Sequence, residues 1–203
     1  MITVITGDVI KSSGLEPDQW LTPLKNALAI IQPDPRYREI FRGDSFQLEL
    51  HDNTKAFEAV IYIKACIKMI RGLDIRLAIG IGDKSYEGDN ITESNGEAFI
   101  YSGETLEVLK KEKQNIKIKT ADDEFNAAFN LYFKLVLIAM DSWTMNSAEV
   151  VKWHLEYPQM RQKDMSKRIG ISQNTVSERR KRAHLDEILE LNAMFKLKIN
   201  QLA

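Results

Sequence analysis

The hydrophobic pattern changes period once, near residue 121, and this change constrains the fold more than any other feature. Before it, short β-branched runs alternate with amphipathic helical segments; after it, the apolar spacing is helical. That order predicts an α/β region followed by an all-α region. With 203 residues, the chain is long enough for one sizeable core and a smaller module.

The α/β part reads element by element. "MITVITGDVI" is a buried strand that ends near Gly7-Asp8. In "EPDQWLTPLKNALAIIQ" the residues Trp20, Leu24, Leu28 and Ile31 recur at helical spacing, Pro17 suits the first turn, and "PDP" at 33–35 stops the helix. "YREIF" and "SFQLELH" flank Arg42-Gly43-Asp44 as the two arms of a tight hairpin. "TKAFEAVIYIKACIKMIRGL" follows as a long helix, capped by Thr54 or Asn53 and closed at Gly72.

"DIRLAIGIG" is a further strand, whose two late glycines allow close backbone approach. "DKSYEGDNITESN" is a polar loop long enough to suggest function. A helix over "GEAFIYSGETLEVLKKEKQ" and an edge strand at "NIKIKT" complete the region. The expected organisation is an α/β domain over 1–120, a connecting helix over 121–145 with Phe125, Phe129 and Phe133 on one stripe, and an all-α domain over 146–203.

Charge divides the chain at nearly the same place. The whole sequence carries −1, but residues 1–150 sum to −6 and residues 151–203 to +5. Only the C-terminal part has the electrostatics of a polyanion binder. No apolar run reaches the roughly 20 residues of a bilayer span, and an aspartate at position 8 interrupts any signal-like segment, so the expectation is a cytoplasmic protein without membrane partners. The single cysteine, Cys66, lies within an apolar helix pattern and reads as a small buried hydrophobe.

The basic segment has the most specific pattern. In "SAEVVKWHLEYPQMRQKDMSKRIGISQNTVSERRKRAHLDEI" we expect helices at 147–156, at about 161–168 and from Gln173. Met165 and Ile169 supply a buried side, Gly170 ends the second helix, Ile171 plugs the turn, Ser172 caps the third helix and Val176 anchors it. The segment resembles the helix-turn-helix family. That resemblance implies DNA as a partner, with Gln173, Asn174, Thr175 and Ser177 placed to read bases and Arg179, Arg180, Lys181 and Arg182 to contact phosphates.

Dimers are the usual route to sequence specificity in such proteins, so a homodimer is expected. The tail from Leu185 has an apolar face at Ile188, Phe195 and Ile199 that suits either a twin or the connecting helix.

Two aspartates carry the remaining signal. Asp8 ends the first strand and Asp44 follows Gly43 at the hairpin tip; each alone is compatible with a turn or capping residue, but together they form a candidate two-carboxylate metal site. In strand order, "TGDVIKS", "FRGDSF", "IRLAIGIG" and the helix after it resemble the nucleotidyl-cyclase and GGDEF superfamily. The resemblance implies a palm or ferredoxin-like mixed sheet, βααββαβ, in which Asp8 and Asp44 bind Mg²⁺ or Mn²⁺. A nucleotide's phosphates would then lie near Lys11, Ser12, Ser13, Arg42 and Gly43.

Two departures from that family weigh against turnover. "AFIYSGETLEVL" lacks the Asn and Arg that cyclases place on this helix, and "RGDSF" has Arg42 and Ser45 where a GGDEF signature has Gly and Glu. Across the whole chain, "VITGDVIKSS", "FRGDSFQ" and the C-terminal motif also resemble the SatD family of bacterial proteins. The combined expectation is a DNA-binding regulator with a ligand-sensing cyclase-like domain. An active nucleotidyl cyclase or nucleotidyltransferase, and a palm-like domain serving only as a dimerisation scaffold, are the alternatives.

Overall fold

A computed structural model describes residues 1–41 and 43–202. β1 (Ile2–Ile10) leads into α1 (Pro17–Ile31), then the hairpin of β2 (Arg38–Phe41) and β3 (Ser45–Leu50). α2 (Ala56–Lys68), β4 (Asp74–Gly82), the short β5 (Lys84–Tyr86) and β6 (Asn95–Gly96), α3 (Glu97–Glu112) and β7 (Ile116–Lys119) follow. The remainder is helical: α4 (Asp123–Met140), α5 (Met145–Glu156), α6 (Gln162–Ile169), α7 (Gln173–Arg182) and α8 (Leu185–Ile199). The protein is therefore mixed α/β, with eight α-helices among the described residues.

Five strands form the main sheet in the order β2-β3-β1-β4-β7. β1 is antiparallel to both of its neighbours, β3 and β4, and β2 is antiparallel to β3; only β7, joined through α3, runs parallel to β4. β1 is central because its β-branched residues are buried on both faces. Ile5 and Val9 face the main core with α1 and α2, whereas Val4 packs on the other face against Ala98 and Phe99 of α3.

The glycines of β4 decide how closely α3 approaches. A methyl group on Gly80 would lie 2.2 Å from the Ala98 carbonyl, and one on Gly82 would lie 2.7 Å from the Glu97 Cβ. These residues let helix and strand backbones meet directly, as expected from the sequence.

Several local expectations change. Between β1 and β2 there is one α-helix, preceded only by a single 3₁₀ turn at Ser12–Gly14, because the six residues between β1 and α1 are too few for the second helix of a βαα start. α2 is preceded by a 3₁₀ turn capped by Asp52, which accepts from the Thr54 amide, in place of a Thr54 or Asn53 cap. Gly72 has φ +86 in the turn before β4, four residues beyond the end of α2. The polar loop after β4 holds the β5–β6 pair, and Ile91 within it is buried beneath Phe99.

α2 is enclosed on nearly every side, with 11 of its 13 residues buried. Such a helix must be apolar nearly all round; its charges are Glu58 and Lys68, which are half-buried near its ends, and Lys64 in its interior. That lysine is fully buried, and its Nζ donates to Asp74 Oδ1 and Asp141 Oδ1, both at 2.6 Å, tying α2 to the start of β4 and the end of α4. Cys66 is buried as expected, and burial pushes its thiol up to about 11.

The all-α part is not separated from the sheet by an open linker. Phe57 of α2 stacks on Phe133 of α4 at 4.7 Å and lies 6.0 Å from Phe195 of α8, so one core joins all three. The apolar face of α8, Leu185, Ile188, Phe195 and Ile199, is buried within the chain, which resolves the two possibilities for the tail in favour of internal packing. No described helix is long and apolar enough to cross a membrane.

Candidate functional site

Asp8 sits on the α3 face of the sheet, opposite Ser45 on β3 and Arg76 on β4. On β4 the α3-facing residues are Arg76, Ala78, Gly80 and Gly82; small residues seat the helix, and Arg76 appears where the seat ends. Arg76 Nη1 donates to Asp8 Oδ2 at 2.9 Å. This single contact leaves Asp8 Oδ1 and Arg76 Nε buried and without a partner among the described residues. One acceptor and one donor of this ion pair are thus unused although each atom is shielded from solvent, which is costly unless a ligand uses them.

Asp44 is bound to the end of β1. Its carbonyl accepts from the Val9 amide at 3.1 Å and its carboxylate accepts from Ser12 Oγ at 2.9 Å. Burial raises the pKa of Asp8 above the ordinary carboxylate value; Arg76 and Lys110 pull it back down, and the negative charge of Asp44 adds to the rise. The Asp44 charge is the smallest of these named influences on Asp8.

The predicted residues divide clearly. Asp8, Asp44 and Ser12 come together, and Gly43 occupies the hairpin tip with φ +87, a conformation that glycine adopts without strain. Ser13 is exposed just beyond. Lys11, in the left-handed region at φ 68, lines a separate cavity of about 700 Å³ with Lys68, Arg71 and Asn146. Arg42 lies outside the described residues.

Arg76 and Lys110 were missed from sequence. Arg76 left a signal, being a charge between the apolar Ile75 and Leu77 within a strand; Lys110 left none, since a lysine near a helix end is ordinary.

No group of three or more His, Cys, Asp or Glu suited to a metal occurs among the described residues. Two carboxylates fit Mg²⁺ or Mn²⁺ only if phosphate oxygens, backbone carbonyls or water complete the shell, which is the usual way Mg²⁺ is held.

The second candidate surface is built by α5, α6 and α7. Val150, Met165 and Val176 form a small core closed by Trp153, Met160, Ile169 and Ile171. Gly170 ends α6 in the left-handed region at φ 78, and Ser172 Oγ accepts from the Thr175 amide to start α7.

This packing sets the outward face of α7. Ser172, Gln173, Asn174, Glu178, Lys181 and Arg182 are exposed, and Thr175 and Ser177 are half-buried. Arg179 and Arg180 fall on the inner side with Val176 and Ala183, at spacings of three and four. Arg179 pairs with Glu149 at 2.6 Å, and Arg180 pairs with Asp186 and approaches His154 Nδ1 at 3.3 Å. Both arginines thus hold α7 to its neighbours. On α6, Lys163, Lys167 and Arg168 are exposed and extend the basic surface, a contribution absent from the predicted set.

The chain matches no known family model, and no curated protein or solved structure is significantly similar to it.

Proposed function

We propose that this protein is a DNA-binding regulator whose α5–α7 unit acts as a helix-turn-helix and whose sheet region is a palm-like domain that binds a phosphate-bearing ligand. The observation carrying the DNA reading is the orientation of α7. Val176 and the two paired arginines fix one side, so Gln173, Asn174 and Lys181 project together from a rigid support. Polar side chains at the start of such a helix suit base edges, while Lys167, Arg168, Lys181 and Arg182 suit phosphates.

For the sheet region, the strand order β2-β3-β1-β4 with antiparallel neighbours supports the palm-like reading. The unpartnered Asp8 Oδ1 and Arg76 Nε favour a ligand there. A divalent ion held by Asp8 and Asp44 would neutralise phosphate charge, Ser12 would position Asp44, and Arg76 would hold Asp8. With the Asn and Arg of cyclases missing from α3, binding is favoured over turnover.

Two experiments separate these parts. Selection from a random duplex pool, followed by anisotropy titration over a salt series, should give specific binding. In that assay Lys181→Ala with Arg182→Ala should lower the salt slope by about 2, whereas Gln173→Ala should relax preference at one position. Absence of any selected sequence removes the DNA reading. For the ligand, Mg²⁺ with nucleoside triphosphates should raise the melting temperature in wild type and not in Asp44→Ala. No shift with any nucleotide would leave the sheet region without a phosphate ligand.

A further inference from the structure

α4 is apolar on two sides, and only one of them is covered. Phe125, Phe129, Phe133 and Leu137 enter the core. On the opposite side Leu131 is 55% exposed, Leu135 56% and Ile138 76%, with Tyr132 beside them at 36%. Spacings of four and three align the first three into a ridge. Along one flank of this ridge runs a groove of about 460 Å³ between α4 and α8, lined by Val136, Ala139, Ile188 and Leu191.

We propose that this face pairs two copies of the chain about a two-fold axis running along α4. Ridge and groove lie side by side on one surface, so the same patch supplies both the projection and the recess, as an isologous interface requires. Charge points the same way. Lys134 borders the ridge on the side away from α8, while on α8 the exposed Glu187 lines the groove and the exposed Glu190 lies outside it. None of these three has an ion-pair partner among the described residues. Lowering the ridge of one copy into the groove of its twin carries Lys134 toward the acidic rim of the partner's α8.

The area is also adequate. The four exposed side chains supply roughly 400 Å² per copy, about half of the ~800 Å² per partner in a standard interface, before the groove and its rim are counted. A foreign apolar helix would fill the groove but would leave the ridge bare. The tail that sequence suggested for pairing is unavailable, because its apolar face is buried within the chain. This pairing does not rest on the DNA reading, and it fails or stands separately.

Sedimentation velocity of the full chain over roughly 1 to 100 µM protein tests it. Wild type should dimerise within that range. Ile138→Glu should raise the dimer dissociation constant at least about 100-fold with unchanged circular dichroism, because burying that carboxylate in the pair is unfavourable while in the monomer the side chain is 76% exposed. Leu135→Glu is the second variant and should behave alike. Lys134→Glu should weaken the dimer by about tenfold, and adding Glu187→Lys with Glu190→Lys should restore it. A wild type that stays monomeric throughout, a dimer untouched by both apolar variants, or a charge swap without recovery each overturns the proposal.

Discussion

Trp143 Nε1 donates to the Ala183 carbonyl at 2.9 Å inside the core, joining the corner between α4 and α5 to the residue that caps the C-terminus of α7. The start of α5 and the end of α7 are thereby fixed to each other. Trp143→Phe keeps an aromatic side chain but removes the donor and part of the indole's volume, leaving a buried carbonyl unsatisfied beside a small cavity. Urea unfolding should show a loss of about 2–4 kcal/mol, with the slope unchanged.

Lys64 makes a second prediction. Removing a buried cation leaves Asp74 and Asp141 facing each other without it, so Lys64→Met alone should cost roughly 3 kcal/mol. Replacing all three, with Asp74→Asn and Asp141→Asn added, should recover part of that loss. If the single variant is as stable as wild type, the network contributes nothing to stability.

Asp8 links stability to pH. Its pKa in the folded protein is raised above 3.8, chiefly by burial, so the native state holds a proton that the unfolded chain has already released. Its contribution to stability therefore falls as pH rises from 3.8 through the raised folded value, and below 3.8 this penalty is absent. Asp8→Asn should flatten that limb of the stability profile. In the proposed metal site Mg²⁺ would compete with the same proton, so a melting-temperature rise produced by Mg²⁺ should grow with pH across the window in wild type and vanish in Asp8→Asn.

His154 gives the opposite sign. Burial, with help from Arg180 and against Asp186, lowers its pKa below 6.5. Between that lowered value and 6.5 the unfolded chain binds a proton that the native state does not, so stability falls as pH drops below 6.5. Chemical denaturation at pH 7.5, 6.5 and 5.5 should show this decline, and His154→Gln should reduce it.

What sequence revealed, and what it concealed, follows from the range of each interaction. The spans of α6 and α7 were legible because Met165, Gly170, Ser172 and Val176 act over three or four residues. The pairing of Asp8 with Arg76 was not, since it requires the register of two strands 68 positions apart. Arg179 and Arg180 looked like phosphate contacts because their charge is visible in the sequence, while Glu149 and Asp186, which engage them, become neighbours only after folding. The apolar face of α8 was visible, but a stripe does not state what covers it. The loop after β4 read as polar throughout, because the single buried Ile91 that anchors it is one apolar residue among many polar ones.

The enclosure of α2 has a consequence for synthesis. A chain emerging from the ribosome completes β1 to β7 while one flank of α2 still lacks its cover. Glu58 meets Asn192 only across 134 positions, and Phe57 meets Phe195 across a similar span. The sheet can assemble early, but its central helix stays partly wet until the last helix has been made, and such late closure slows folding and exposes apolar surface meanwhile. α8 thus acts as the latch of the nascent chain: a product that stops after α7 would present Phe57, Phe129 and Phe133 to other molecules, making it a substrate for chaperones and proteases.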